Sequence, residues 1–428
     1  MTNQEKQIAP TPRYAALQGS FWATFCIIFA YASVYLLSKG YSNSQIGLVI
    51  AVAGIISALL QPVVADFADR CRRGTLRYMI SFWSAVIIMV AAALLIPHMN
   101  FLLIGVFYGV AVAGLQILTP LVNAIGMECI NHGIPVNFGL ARGIGSVTYA
   151  AVSYIAGKLV AEYDTNVIPM MIIFFYLLLI VTSLTFYFRD EPANNECAEN
   201  KNIENKQIEN KNIESGHIES KYIESEHIEN NHIEKVITLD KGNFFTHYKR
   251  FFLLLVAVTF SFISHNLLNN YMFQVMEYHG GGSGEMGTAL AIAATIELPT
   301  MLCFSLLIRK FQSSTLLKVS VTFFMVKALL TFLAPNVYGV YVAQLTQFLG
   351  FALQVPSSVY YVNSLMKPKD RVKGQAFMTM TNTLGSIGGS LIGGMVLDAF
   401  GVKALLLISV TMAAFGMLIT FVSTEKLD

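Results

Sequence analysis

Charge is what this sequence has least of. Only 13% of its 428 residues are Asp, Glu, Lys or Arg, against about 25% in a soluble domain. That scarcity excludes a water-facing globular surface for most of the chain. The net charge is only +2. The basic residues scatter over short loops and form no patch or stripe, so no nucleic-acid partner is expected. Cysteine is sparse: Cys26, Cys71, Cys129, Cys197 and Cys303 are odd in number and lack CxxC spacing. Neither a disulfide framework nor a metal site is expected, and no cofactor. HExxH, GxSxG and paired-carboxylate motifs are missing from the apolar segments, so the chain does not read as an enzyme. No cleavable leader is expected, because the first fifteen residues are polar and the first apolar run leads into more of the same.

What the chain has is apolar length. Hydrophobic residues make up 55% of it, and mean hydropathy is +0.57. A helix crossing a bilayer needs about 20 mostly apolar residues. Twelve segments qualify: 16–38, 44–66, 76–97, 100–124, 137–161, 166–188, 251–276, 285–309, 314–334, 338–366, 372–399 and 402–423. The reading is an all-α integral membrane protein with twelve transmembrane helices in two six-helix halves, 1–188 and 251–428. With both termini in the cytoplasm, that side holds 23 of the 28 lysines and arginines, as the positive-inside rule requires. A multi-pass protein of the cell membrane is expected, a monomer in contact with lipid.

Residues 189–250 separate the halves. Within them a five-residue repeat, NKNIE to NNHIE, runs over 200–234. A period of five fits neither a helical stripe nor strand alternation. One isoleucine in five cannot offset the entropy of ordering. A disordered cytoplasmic linker is the expectation. His217, His227 and His232 offer metal ligands in principle, but a solvated low-complexity tract is the preferred reading. The halves echo one another: Arg142-Gly-Ile-Gly145-Ser146 matches Asn382-Thr-Leu-Gly385-Ser386, and Ile155-Ala-Gly157 matches Ile392-Gly-Gly394. Repeated halves are a common transporter plan, with the site at the midplane between them.

Glu297 sits about twelve residues from either end of its span, roughly 18 Å deep. A carboxylate there is costly unless paired, protonated or facing water. It reads as a ligand for solute or proton, against the plainer alternative of a protonated carboxyl bridging two helices. Lys327 and Arg142 are also inside spans, and both have stems long enough to snorkel. Small neighbours at Gly139, Gly143, Gly145 and Ser146 favour protein rather than lipid around Arg142. Arginine donors and glutamate acceptors from opposite halves suit a polyhydroxylated solute, or each other when the site is empty. Tyr149 lies two turns from Arg142 on the same face and offers an aromatic platform; packing is its alternative. Asp69, at a helix end beside Arg70 and Arg73, reads as a cytoplasmic gate, with simple positive-inside charge as the alternative.

These residues resemble the major facilitator superfamily. Asp69-Arg70-Cys71-Arg72-Arg73 is similar to its loop 2–3 signature GxxxDRxGRR, departing at Ala65, Arg72 and Gly74. A narrower resemblance is to the lactose permease and oligosaccharide:proton symporter group. Phe138-Gly139-Leu140-Ala141-Arg142, with Ser146 and Tyr149, falls where that group has its sugar-binding arginine, a cysteine and a stacking tryptophan. Glu297-Leu298 resembles its acidic motif in the eighth span. Gln354-Val355-Pro356 resembles a Glu-Val-Pro whose glutamate releases the coupling proton, and Lys327 falls near an arginine that assists it. Asn123 stands roughly at a second sugar-binding carboxylate. Phe348, Phe351 and Thr381 replace a lysine, a histidine and another lysine. The resemblance implies a major facilitator fold and alternating access. With Gln354 and Asn123 neutral, it does not carry over galactoside specificity.

The functional expectation is a secondary transporter of a small, polar, sugar-like solute, with proton coupling open. Arg142, Glu297, Tyr149, Asn123 and Asn382 are the expected solute ligands. Glu297, Lys327 and Gln354 are the coupling candidates. A nucleoside or aromatic-acid permease is the alternative, as is a membrane sensor of the same fold that does not transport.

Overall fold

The computed structural model describes residues 10–70, 75–131, 136, 138–186 and 244–424. The pentad repeat at 200–234 and Arg73 lie outside the described residues, as does most of the expected linker. The chain divides into two units, 187–249 and the remainder. In the smaller unit only the short helix Phe244–His247 and the two residues after it are described.

The larger unit is built from helices. α1 (Pro10–Phe25) runs through a π turn (Cys26–Ala30) into α2 (Ala32–Ser38). α3 (Asn43–Arg70), α4 (Thr75–Ala93), α5 (Phe101–Asn131), α6 (Phe138–Tyr163) and α7 (Val167–Leu184) complete the first half. The second half comprises α8 (Lys249–Asn270), α9 (Met272–Tyr278), α10 (Ser283–Lys310), α11 (Ser313–Leu333), α12 (Val337–Leu345), α13 (Phe351–Leu365) and α14 (Arg371–Ser423).

Among the described residues nine helices are each long and apolar enough to cross a membrane, and the α1–α2 pair, bent by 43°, makes a tenth. Two further crossings are hidden by geometry. α14 has 53 residues, roughly 80 Å of helix against a hydrocarbon core of about 30 Å. It turns back at Gly401, whose φ of 76° is a conformation glycine reaches without steric cost. α12 and α13 are each short, but the 3₁₀ turn Thr346–Phe348 joins them into one interrupted crossing. This is the all-α plan of twelve crossings expected from hydropathy. Apolar side chains such as Leu59, Leu102, Phe174, Leu302 and Phe421 stand exposed on the outer surface, the arrangement lipid demands.

The halves meet along α6 with α10 and along α3 with α14. Glycine makes both approaches possible. A Cβ on Gly157 would lie 2.6 Å from the Ser283 carbonyl oxygen, and one on Gly287 would collide with that of Ser153. On the other seam, a Cβ on Gly394 would strike the Asn43 backbone. Asp398 accepts from the Asn43 amide at 3.0 Å, the Asn43 side chain at 2.9 Å and the Ser44 amide at 2.7 Å. A carboxylate thereby closes the first turn of α3, where backbone donors and the helix dipole favour negative charge. Gln274 adds a 2.8 Å bond to Asn43. These contacts gather at one end of the bundle, the end away from the chain termini.

Candidate solute-binding site

A cavity of about 520 Å³ lies between the halves, a size that suits a small organic solute. Its wall toward the termini includes Asn123, Thr379 and Asn382, all exposed. Asn266, Asn270 and Glu297 on its other flanks are buried. The cavity therefore opens toward the termini and ends against the glycine-and-carboxylate seal.

All five expected solute ligands, Arg142, Glu297, Tyr149, Asn123 and Asn382, line this space. Arg142 and Glu297 are the cation and the carboxylate of the wall among the described residues. They do not pair. Arg142 donates to Ser146 Oγ at 3.0 Å, and its guanidinium lies 3.8 Å from the centre of the Trp22 ring. That cation–π contact holds the charge against α1. Glu297, 8% exposed, accepts from Gln347 Nε2 at 3.0 Å.

The coupling candidates separate. Gln354 is not part of the wall; it is buried and accepts from Ser320. Lys327 is also outside the wall, and it bonds not to Gln354 but to Gln347 Oε1, at 2.7 Å. The two glutamines are seven residues apart, about two helical turns, and the break between α12 and α13 brings the earlier one to the lysine. Of the gating residues, Asp69 and Arg70 occupy the last turn of α3; their side chains are outside the described residues.

The two flanks differ in chemistry. The first half contributes a run of rings from α1 and the π turn after it: Trp22 and Phe25 are 5.0 Å apart, Phe25 and Phe29 5.4 Å, the latter pair stacked. Its amides serve each other. Gln18 donates to Asn123 and accepts from Trp22. Gln61 donates to the Gln116 backbone, and Gln116 accepts from Ser57. The second half contributes α8, with His265, Asn266, Asn269 and Asn270 along the cavity. Here satisfaction is incomplete. Asn269 bonds to His265 Nε2 at 2.7 Å and Asn270 donates to Ser390 at 2.8 Å, while His265 Nδ1 and Asn270 Oδ1 are buried without a hydrogen bond. Phe351 stacks on the His265 ring at 5.0 Å and 7°. Trp22, Gln347 and the α8 row escaped the sequence reading. Four polar residues within six, in an otherwise apolar span, were the visible signal for the α8 row.

The comparisons with known proteins agree with this architecture. No curated protein matches the chain. Among solved structures, the nucleoside transporter NupG superposes with a TM-score of 0.69 at 13% identity, covering 97% of this chain and 98% of that one. A bacterial homologue of the iron transporter ferroportin, in an inward-facing state, gives 0.66 at 14% identity over 99% of this chain and 100% of that one. A POT family transporter gives 0.61 at 11% identity, covering 96% and 95%. At such identities the likeness concerns the fold. The model of the MFS_1 like family matches residues 17–408, nearly the whole chain. The protein belongs to that family and is a multi-pass membrane transporter of the major facilitator type.

Proposed function

We propose that this transporter carries an uncharged solute that joins a flat, hydrogen-bonding ring to a hydroxylated group, the chemistry of a nucleoside. The observation behind this reading is the α8 row, whose carboxamides at Asn266, Asn269 and Asn270 stand with His265 along the cavity. Carboxamides set a donor beside an acceptor, which matches the edge of a nucleobase. A sugar offers hydroxyls but no such edge. The aromatic run on α1 and Phe351 offer stacking faces, worth about 1–3 kcal/mol per base in other systems. Arg142 and Glu297 balance in charge and suit ribose hydroxyls. Similarity to NupG extends to the fold only and is in keeping with this reading.

One observation favours a second reading. Arg142 feels Glu297 electrostatically but hydrogen-bonds to Ser146 and not to a carboxylate, so an aromatic acid can take its remaining donors. In either case the cavity is read as facing the cytoplasm, with both termini on that side of the cell membrane. Glu297 is the coupling candidate that faces the cavity, and proton symport would run through it.

Counterflow in proteoliposomes tests the assignment. Labelled uridine or adenosine should exchange against the unlabelled compound, and lactose should not compete. Exchange of lactose, or of an aromatic acid in place of nucleosides, would overturn the nucleoside reading. Binding without exchange would make the protein a sensor.

A further inference from the structure

We propose that Gln347 is a positioning residue that links Lys327 to Glu297, so that a buried ammonium governs the cavity carboxylate through a single amide. The inference rests on the reading of Glu297 as a site residue.

The three side chains come from three elements. Lys327 is on α11 and 2% exposed; Gln347 is in the 3₁₀ turn and 4% exposed; Glu297 is on α10. Lys327 Nζ donates to Gln347 Oε1 at 2.7 Å, and Gln347 Nε2 donates to Glu297 Oε1 at 3.0 Å. The direction of the amide is dictated by its neighbours. An ammonium only donates and a carboxylate only accepts, so one orientation of the glutamine satisfies both and the flipped one satisfies neither. Two opposite charges are thus held in order without touching. A buried ammonium is costly without a counter-charge, and Glu297 is the carboxylate that acts on Lys327 electrostatically. The other ionisable groups around the site are Arg142 and Tyr149 on α6 and His265 on α8. None of them hydrogen-bonds to Lys327, Gln347 or Glu297, although Arg142 also acts on Glu297, and His265 is coupled to Lys327, through electrostatics.

Position in the backbone gives the link its consequence. Gln347 lies where the helix is interrupted, followed by Gly350 at φ −82°, ψ −103°, outside helical geometry. Directly beyond the break, Phe351 stacks on His265. The interruption is held by the two hydrogen bonds of Gln347 on its near side and by the contacts of Phe351 with His265 and Phe262 on its far side. A solute group that takes a Glu297 oxygen competes with Gln347, and so acts on the break and on Lys327 together.

The experiment uses full-length protein in lipid vesicles and a membrane-permeant carbodiimide, which attacks protonated carboxyls. The rate of Glu297 modification at pH 7 is read by peptide mass spectrometry, with Glu297→Gln as the blank. Lys327→Met and Gln347→Met each keep side-chain volume while removing the link. Each should speed modification about threefold to tenfold, because losing the cation or the amide's hydrogen bond disfavours the ionised carboxyl while Arg142 still favours it, and the double variant should be no faster than either one. Gln347→His, whose neutral ring both accepts and donates, should restore the wild-type rate even if Gln347→Met folds poorly. Rates that multiply in the double variant, or a Gln347→Met rate equal to wild type, would overturn the link. If the wild type exchanges no solute offered but the rates stay non-multiplicative, the solute reading fails and the link stands. Multiplying rates with intact nucleoside exchange would give the reverse.

Discussion

The two flanks of the cavity face the same solute but are finished differently. On the first-half side, Gln18, Gln61, Gln116 and Asn123 bond to neighbouring side chains or to backbone, and Arg142 rests on Trp22. On the second-half side, the α8 row retains unbonded buried atoms and Glu297 hangs on one glutamine. A satisfied wall gives shape and stacking surface at little energetic cost. An unsatisfied wall leaves polar atoms for water or a solute to meet once the packing around them opens. The difference assigns shape selection to one half and polar recognition to the other.

The contrast can be broken by substitution. The largest effect is expected for Glu297→Gln, which removes the cavity's carboxylate and should lower exchange about a hundredfold, the scale of a lost charged hydrogen bond. Exchange at wild-type rate with unchanged pH dependence would remove Glu297 from the site. His265→Phe keeps the stack on Phe351 but deletes both ring nitrogens, and should weaken solute binding about tenfold by thermal shift or equilibrium binding. Trp22→Phe loses the bond to Gln18 and weakens the cation–π contact; a three- to fivefold rise in exchange KM is expected, on the order of 0.5–1 kcal/mol. Gln61→Leu, on the satisfied wall, should change affinity less than about twofold. If it costs more than His265→Phe, the two walls have been assigned in the wrong order. The smallest effect belongs to Gln354→Leu combined with Ser320→Ala. Replacing both partners of a buried bond is close to neutral, and a site off the cavity should leave exchange unchanged. Loss of pH-driven uptake in that variant would return Gln354 to the coupling machinery.

Hydropathy made the fold legible because lipid imposes a length on every crossing. The least regular spans were the glycine-rich ones at 137–161 and 372–399. Both are helical: Gly157 lies against α10 and Gly394 against α3, while Gly145 meets Trp22 and Gly385, Gly388 and Gly389 meet α8. Arg142 and Glu297 were legible through the cost of charge in an apolar span. Gln347 was not, since a neutral glutamine carries no such penalty and the segment 338–366 reads as one continuous helix. The break at Thr346–Phe348 leaves no mark in hydropathy, yet it decides which of two glutamines on the same nominal face meets Lys327. Asn266 and Asn269 went unnoticed for the same reason as Gln347.

The seal at Asn43, Gly157, Gly287, Gly394 and Asp398 has a further consequence. It is a junction where the backbones of the two halves touch. Inhibitors that occupy the cavity must arrive from the face bearing the termini while this state persists. A binding protein that recognises the assembled Asn43–Asp398 junction would hold the carrier in one phase of its cycle without entering the solute path, and would serve as a clock for how often that junction comes apart.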